Sequence, residues 1–106
     1  MQASMKVDLE GKTAIVTGGG TGIGKAISVG LAKNGAAVVV NYSKSKAEAE
    51  QTVSEIADAG GRAMAVQADV TAEDQVSGLV DRAVSEFGGL DILVANAGGR
   101  TIDAPS

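Results

Sequence analysis

The chain has 106 residues, 44% of them hydrophobic, with 13 acidic against 9 basic side chains and a net charge of −4. That length and that hydrophobic share suit one small globular domain and argue against disorder. An aromatic share of 2%, a negative balance and the absence of Cys and His exclude base-stacking and basic nucleic-acid surfaces, disulfides, thiolate metal sites and histidine general bases.

The N-terminal residues Met1–Lys6 form no apolar signal-peptide core, and no apolar run approaches the roughly 18 residues of a membrane helix. The expectation is a soluble, cytoplasmic protein without a nucleic-acid, membrane or metal partner.

In chain order, a β-branched run at Thr13–Thr17 predicts the first strand, and a glycine-rich turn follows it. Ile23, Ala26, Ile27, Gly30 and Leu31 recur at helical spacing, and Asn34-Gly35 ends that first helix. Ala37–Asn41 predicts the second strand. Ser45-Lys46-Ala47-Glu48 has the form of a capping box opening the second helix, whose apolar face carries Ala49, Val53, Ile56 and Ala57. Gly60-Gly61 closes it, and Ala63–Ala68 predicts the third strand. Thr71 is placed to cap the third helix, with Asp74 at its third position. Val76, Leu79, Val80, Ala83, Val84 and Phe87 give that helix one apolar face, Gly88-Gly89 ends it, and Leu90–Ala95 predicts the fourth strand.

The strands are apolar on consecutive residues, as in Val38-Val39-Val40 and Ile92-Leu93-Val94. Such strands are buried on both faces, as in a parallel sheet covered by helices. If the first two helices cover one face and the third crosses back, right-handed crossovers give an α/β Rossmann-type parallel sheet of order 3-2-1-4 with helices on both faces. The chain changes direction between strands 1 and 4, and open α/β sheets bind ligands at such a switch point. The glycine turn ends strand 1 inside that crevice.

Thr17-Gly18-Gly19-Gly20-Thr21-Gly22-Ile23-Gly24-Lys25 admits several phosphate-binding readings. From Gly19 it is G-x-x-x-x-G-K, but a P-loop needs Ser or Thr next for its magnesium ion, and Ala26 has no oxygen. The G-x-G-x-x-G dinucleotide fingerprint also fails on spacing. Gly18-x-x-x-Gly22-x-Gly24 remains, a wider dinucleotide turn. Gly18 permits the tight exit from the strand, Gly22 lets backbone approach a pyrophosphate, and Gly24 lets the helix pack closely. The N–H groups near Thr21, Gly22 and Ile23 would face the phosphates with the helix dipole behind them. A ligand-free strand-to-helix turn is the competing account.

Thr17–Gly24 resembles the TGxxxGIG motif of the classical short-chain dehydrogenases/reductases. Gln67-Ala68-Asp69-Val70-Thr71 is similar to that family's Asp-Val segment after strand 3, and Leu90–Gly98 to its strand 4 with the NNAG motif. The likeness runs from about Gly11 to Gly98, and Val39-Val40-Asn41-Tyr42-Ser43 is most similar to the β-ketoacyl-carrier-protein reductase and glucose dehydrogenase branches. The resemblance implies cofactor contacts at Gly18, Gly20, Thr21, Gly22, Ile23 and Gly24. It also implies that Asp69 accepts from the adenine amino group, that Val70 flanks the ring, and that Asn96, Ala97 and Gly98 line the crevice near the ribose. Asn96 would also tie strands together, with Thr17 bonded to that segment. Ala95 departs from the family pattern, which usually has Asn there. Asp91 reads as a cap on strand 4.

An NAD site usually carries an acidic residue at the end of strand 2 to hold the ribose 2′-hydroxyl. Here that place holds Asn41-Tyr42-Ser43-Lys44, with no carboxylate to repel a 2′-phosphate. Lys44 or Lys46 can pair with that phosphate and Ser43 can donate to it, so NADP is expected over NAD, which stays open. A solvated helix entry is the plainer reading of those lysines.

The family's chemistry is hydride transfer at a carbonyl or alcohol carbon, assisted by a Ser, a Tyr-x-x-x-Lys pair and an Asn after strand 4. None of these is found in residues 1–106. Tyr42, with Lys46 four residues on, lies at the adenosine end, so that spacing is a coincidence of position. The expectation is a single dinucleotide-binding domain over 1–106, the first part of a longer homo-oligomeric enzyme. Alone it is expected to be catalytically inert and marginally stable, with an open apolar edge at strand 4. A nucleotide-sensing module and a half-domain completed by dimerisation remain alternatives.

Overall fold

The computed structural model describes residues 8–96. Its elements are β1 (Thr13–Val16), α1 (Gly22–Lys33), β2 (Ala37–Tyr42), α2 (Lys46–Asp58), β3 (Arg62–Gln67), α3 (Glu73–Phe87) and β4 (Ile92–Val94). They form one parallel sheet of order β3-β2-β1-β4, as the sequence predicts. Val39 aligns with Ile15 across the first pair, and Leu93 aligns with Ile15 from the other side.

Successive side chains of a strand point to opposite faces, and that alternation explains the unbroken apolar runs. Ile15, Val39 and Val66 pack on one face against Leu79 and Ala83 of α3. Val16, Val38 and Val40 pack on the other against Ala49 and Ile56 of α2, with Ile27 and Leu31 of α1 alongside. All four β1 residues are buried. β4 lies at the sheet edge, where Leu93 is 58% exposed.

Helix ends depart from the expected caps. Ser45 is the N-cap of α2, but its side chain makes no capping bond; it lines a cavity instead. Ala72, not Thr71, caps α3, because the Thr71 hydroxyl donates to Asp69 Oδ1 at 2.6 Å. Gly88 ends α3 with φ +90°, in the left-handed region expected of a C-terminal glycine.

The apolar faces are also narrower than periodicity implies. Ile23 is 73% exposed, Ala26 and Ala57 are exposed, and so is Val84 at 47%. Ser28, a polar residue, takes the buried position on α1. The glycine turn lies so close to α1 that only a small side chain fits there.

Candidate functional site

The turn after β1 is held from three directions. From β4, the Asn96 side-chain amide donates to the Gly18 carbonyl at 3.1 Å. The Asn96 N–H reaches the Thr17 hydroxyl at 2.8 Å, and that hydroxyl donates to the Val94 carbonyl at 3.2 Å. From β2, Asn41 Oδ1 accepts the Gly18 N–H at 3.3 Å, and the Asn41 carbonyl accepts the Gly19 N–H at 3.0 Å. From the helices, Ser28 donates to the Gly19 carbonyl and Thr52 to the Gly20 carbonyl, each at 3.0 Å.

Backbone conformation requires glycine at Gly18, with φ +62°, where a side chain would be strained. Gly24 is required by space. A Cβ there would collide with the Gly18 carbonyl and come within 2.7 Å of Asn96 Nδ2. The expected close approach of this helix is therefore to the turn itself and to Asn96. Gly22 opens α1 at φ +55° with nothing within 4 Å of a Cβ position, so conformation and not space favours glycine there.

A cavity of about 360 Å³ lies between the turn and the end of β2, lined by Gly18, Gly20, Thr21, Asn41, Tyr42, Ser43, Lys44 and Ser45. Six of the residues expected at a cofactor site are thus brought together: Gly18, Gly20, Thr21, Tyr42, Ser43 and Lys44. Lys46 does not line this cavity. Gly22, Ile23 and Gly24 begin α1, where the first N–H groups lack intrahelical partners. Ala97 and Gly98 lie outside the described residues.

Asp69 and Val70 follow β3. Asp69 Oδ1 accepts both the Thr71 hydroxyl and the Thr71 N–H, at 2.6 and 2.9 Å. These bonds, with a smaller attraction from Lys44, hold the exposed carboxyl below its ordinary value of 3.8. Gln75 of α3 fixes the same segment by accepting the Asp69 N–H at 2.7 Å. Val70 lies instead on a second, apolar cavity of about 240 Å³ beside α3 and β4.

Lys25 pairs with Glu55 of α2 at 2.9 Å, both side chains partly exposed. It acts as a solvated helix residue, in keeping with the rejection of a P-loop. Asp91 receives the Thr13 N–H at 2.9 Å and so ties the start of β4 to β1. Sequence reasoning missed Ser28, Thr52, Gln75 and the bonding of the Asn41 side chain. For the first two, the available signal was a small hydroxyl residue recurring among apolar helix positions.

The residues present fit an adenine dinucleotide. Gly22 and Ile23 offer free helix-start geometry for phosphate, Asp69 Oδ2 makes none of the bonds to Thr71, and Lys44 carries a charge at the cavity wall. Among the described residues, no group of three or more acidic, His or Cys side chains could hold a metal ion, and no helix is long and apolar enough to cross a membrane.

An open parallel sheet with a nucleotide cradle at its switch point defines a Rossmann-type nucleotide-binding protein. The family model described as short chain dehydrogenase matches residues 12–106. An uncharacterized oxidoreductase of Methylorubrum extorquens is 60% identical over 90 residues, covering 85% of this chain and 36% of that protein. A short-chain dehydrogenase/reductase homolog of Bacillus subtilis is 57% identical over 86 residues, covering 81% of this chain and 79% of that one. The crystal structure of a short chain dehydrogenase from Burkholderia cenocepacia in complex with NADP superposes with a TM-score of 0.81 at 51% identity, covering 85% of this chain and 37% of that chain. The chain belongs to the short-chain dehydrogenase/reductase family. It spans about a third of the length of the first curated relatives it matches (36% and 34%).

Proposed function

We propose that this chain is the cofactor-binding part of an NADP-dependent oxidoreductase acting on a carbonyl or alcohol substrate. The observation that carries this reading is the cavity between the glycine turn and the end of β2, where Ser43 and Lys44 stand and no carboxylate lines the wall. An acidic residue there would hold the 2′-hydroxyl of NAD and repel the 2′-phosphate of NADP. The NADP complex of the Burkholderia relative supports the same choice.

In this reading the Gly22 and Ile23 N–H groups hold the pyrophosphate, and Ser43 and Lys44 hold the 2′-phosphate. Asp69 receives the adenine amino group. Asn96 keeps the turn at its distance from β4. When bound, the nicotinamide supplies the hydride chemistry. In this reading the proton-handling Ser, Tyr and Lys would belong to the part of the relatives' length that this chain does not span, with Tyr42 lining the cavity at the end of β2. The remainder of the enzyme is therefore a required partner, and homo-oligomerisation belongs to the same proposal. A 3-oxoacyl reductase-like substrate is the finer form of this reading, on the strength of the Val39–Ser43 resemblance.

Titration with NADPH and NADH tests it. Tighter NADPH binding is expected; tighter NADH binding overturns the cofactor choice, and no binding of either overturns the reading. A second reading, a nucleotide-binding module without catalysis, is favoured by the Bacillus relative, most of whose length this chain spans. Turnover on mixing with the rest of a family enzyme would reject that second reading.

A further inference from the structure

Asn41 is 1% exposed, and its amide sits where the ends of three strands meet. Oδ1 accepts the Gly18 N–H, while Nδ2 donates to the carbonyls of Val66 at 3.3 Å and Ala68 at 3.2 Å. The Asn41 backbone carbonyl takes the Gly19 N–H. A buried polar side chain is retained where its bonds are satisfied, and these bonds all run to backbone at the carboxyl ends of β1 and β3. Asp at this position would offer no donor and would set a charge against two carbonyl oxygens. Leu would offer neither donor nor acceptor. Asn41 also lines the cavity with Gly18 and Ser43.

We infer that Asn41 is a positioning residue for the dinucleotide, setting the glycine turn before the ligand arrives by engaging the Gly18 and Gly19 N–H groups. It rests on the dinucleotide reading above. The phosphates then meet the Gly22 and Ile23 N–H groups at the start of α1, not those of Gly18 and Gly19. Fixing the turn in advance favours binding because loose glycines lose much conformational freedom when a ligand orders them. A tie that served stability alone would leave the pattern of ligand loss unselective.

The test titrates the wild-type chain and Asn41→Ala with NADP and with 2′-AMP, which carries the ribose phosphate but no pyrophosphate. Asn41→Ala is expected to weaken NADP by about tenfold or more and to leave 2′-AMP within about twofold. Unchanged NADP affinity, or an equal loss of both ligands, overturns the inference. Should Asn41→Ala not fold, amide exchange on the wild-type chain decides. Gly18 and Gly19 are expected to be protected without ligand, with Gly22 and Ile23 exchanging fast until NADP is added. Gly18 exchanging as fast as Ile23 in the free protein overturns it. If the wild type binds no dinucleotide, the cofactor reading falls and takes this role with it. If the wild type binds and the variant binds equally, only the Asn41 role falls.

Discussion

The Asn96 side chain and the Gly18 carbonyl, 78 residues apart in sequence, meet at 3.1 Å directly over Gly24. Three segments thus share one small volume: the end of β4, the turn after β1 and the first turn of α1. A methyl group at Gly24 would enter that volume and collide with both partners. Gly24→Ala should therefore destabilise the fold by about 1–3 kcal/mol, the usual cost of overpacking a tight site. Urea denaturation checks this, and an unchanged midpoint would mean that the turn yields easily.

Thr52 supplies a less visible support. It is fully buried on α2, and its hydroxyl bonds to the Gly20 and Glu48 carbonyls at 3.0 Å. Thr52→Val keeps the shape but strips the donor, leaving the Gly20 carbonyl without it. A loss of about 1–2 kcal/mol is expected by thermal melting, whereas a stabilised variant would show that the bond contributes nothing.

Lys44 and Lys25 make opposite predictions. Lys44 lines the cavity and is proposed to meet the 2′-phosphate, so Lys44→Ala should weaken NADPH by about three- to tenfold and leave NADH unchanged, the range of a mobile surface charge. Calorimetric titration of both cofactors provides the comparison. Parallel losses would remove Lys44 from phosphate selection.

Lys25→Met should leave nucleotide binding intact and cost no more than about 1 kcal/mol, because its ion pair with Glu55 is solvent-exposed. In a P-loop the lysine is a phosphate ligand, so loss of binding would reopen that reading.

Asp69 sets a pH expectation. Its folded carboxyl is held below 3.8 by the Thr71 hydroxyl first, then the Thr71 N–H, with Lys44 adding a smaller attraction. A depressed folded value means that the bonds to Thr71 contribute fully above the unfolded value and are lost as pH falls through the folded one. Asp69 should thus remain an acceptor for adenine throughout the neutral range. Carbon-13 NMR of its carboxyl should give a midpoint below that of Asp69 in a Thr71→Val variant, and an equal or higher midpoint contradicts the assigned cause.

Much of the fold was legible because the signals were local and consistent. Val38-Val39-Val40 announced a doubly covered strand, Asn34-Gly35 and Gly88-Gly89 marked helix ends, and right-handed crossovers with α1 and α2 on one face give the observed strand order. Ser45 does stand at the N-cap of α2, although its side chain makes no capping bond, whereas Thr71 yields the α3 cap to Ala72 because its hydroxyl is held by the Asp69 carboxylate. Ile23 departs from the expected apolar face because Gly24 and Ser28, not Ile23, take the buried positions of α1.

By itself, the sequence determined the strand order, the switch point and the glycine spacing that rules out a P-loop. Each depends on residue type at short range, where periodicity and turn chemistry decide. Only the tertiary structure decided how Asn41, Ser28 and Thr52 hold that turn, because their partners in it are backbone atoms 9 to 32 residues away. A carbonyl or an N–H is the same in every residue, so no pattern of side chains reveals which one a distant amide or hydroxyl will find.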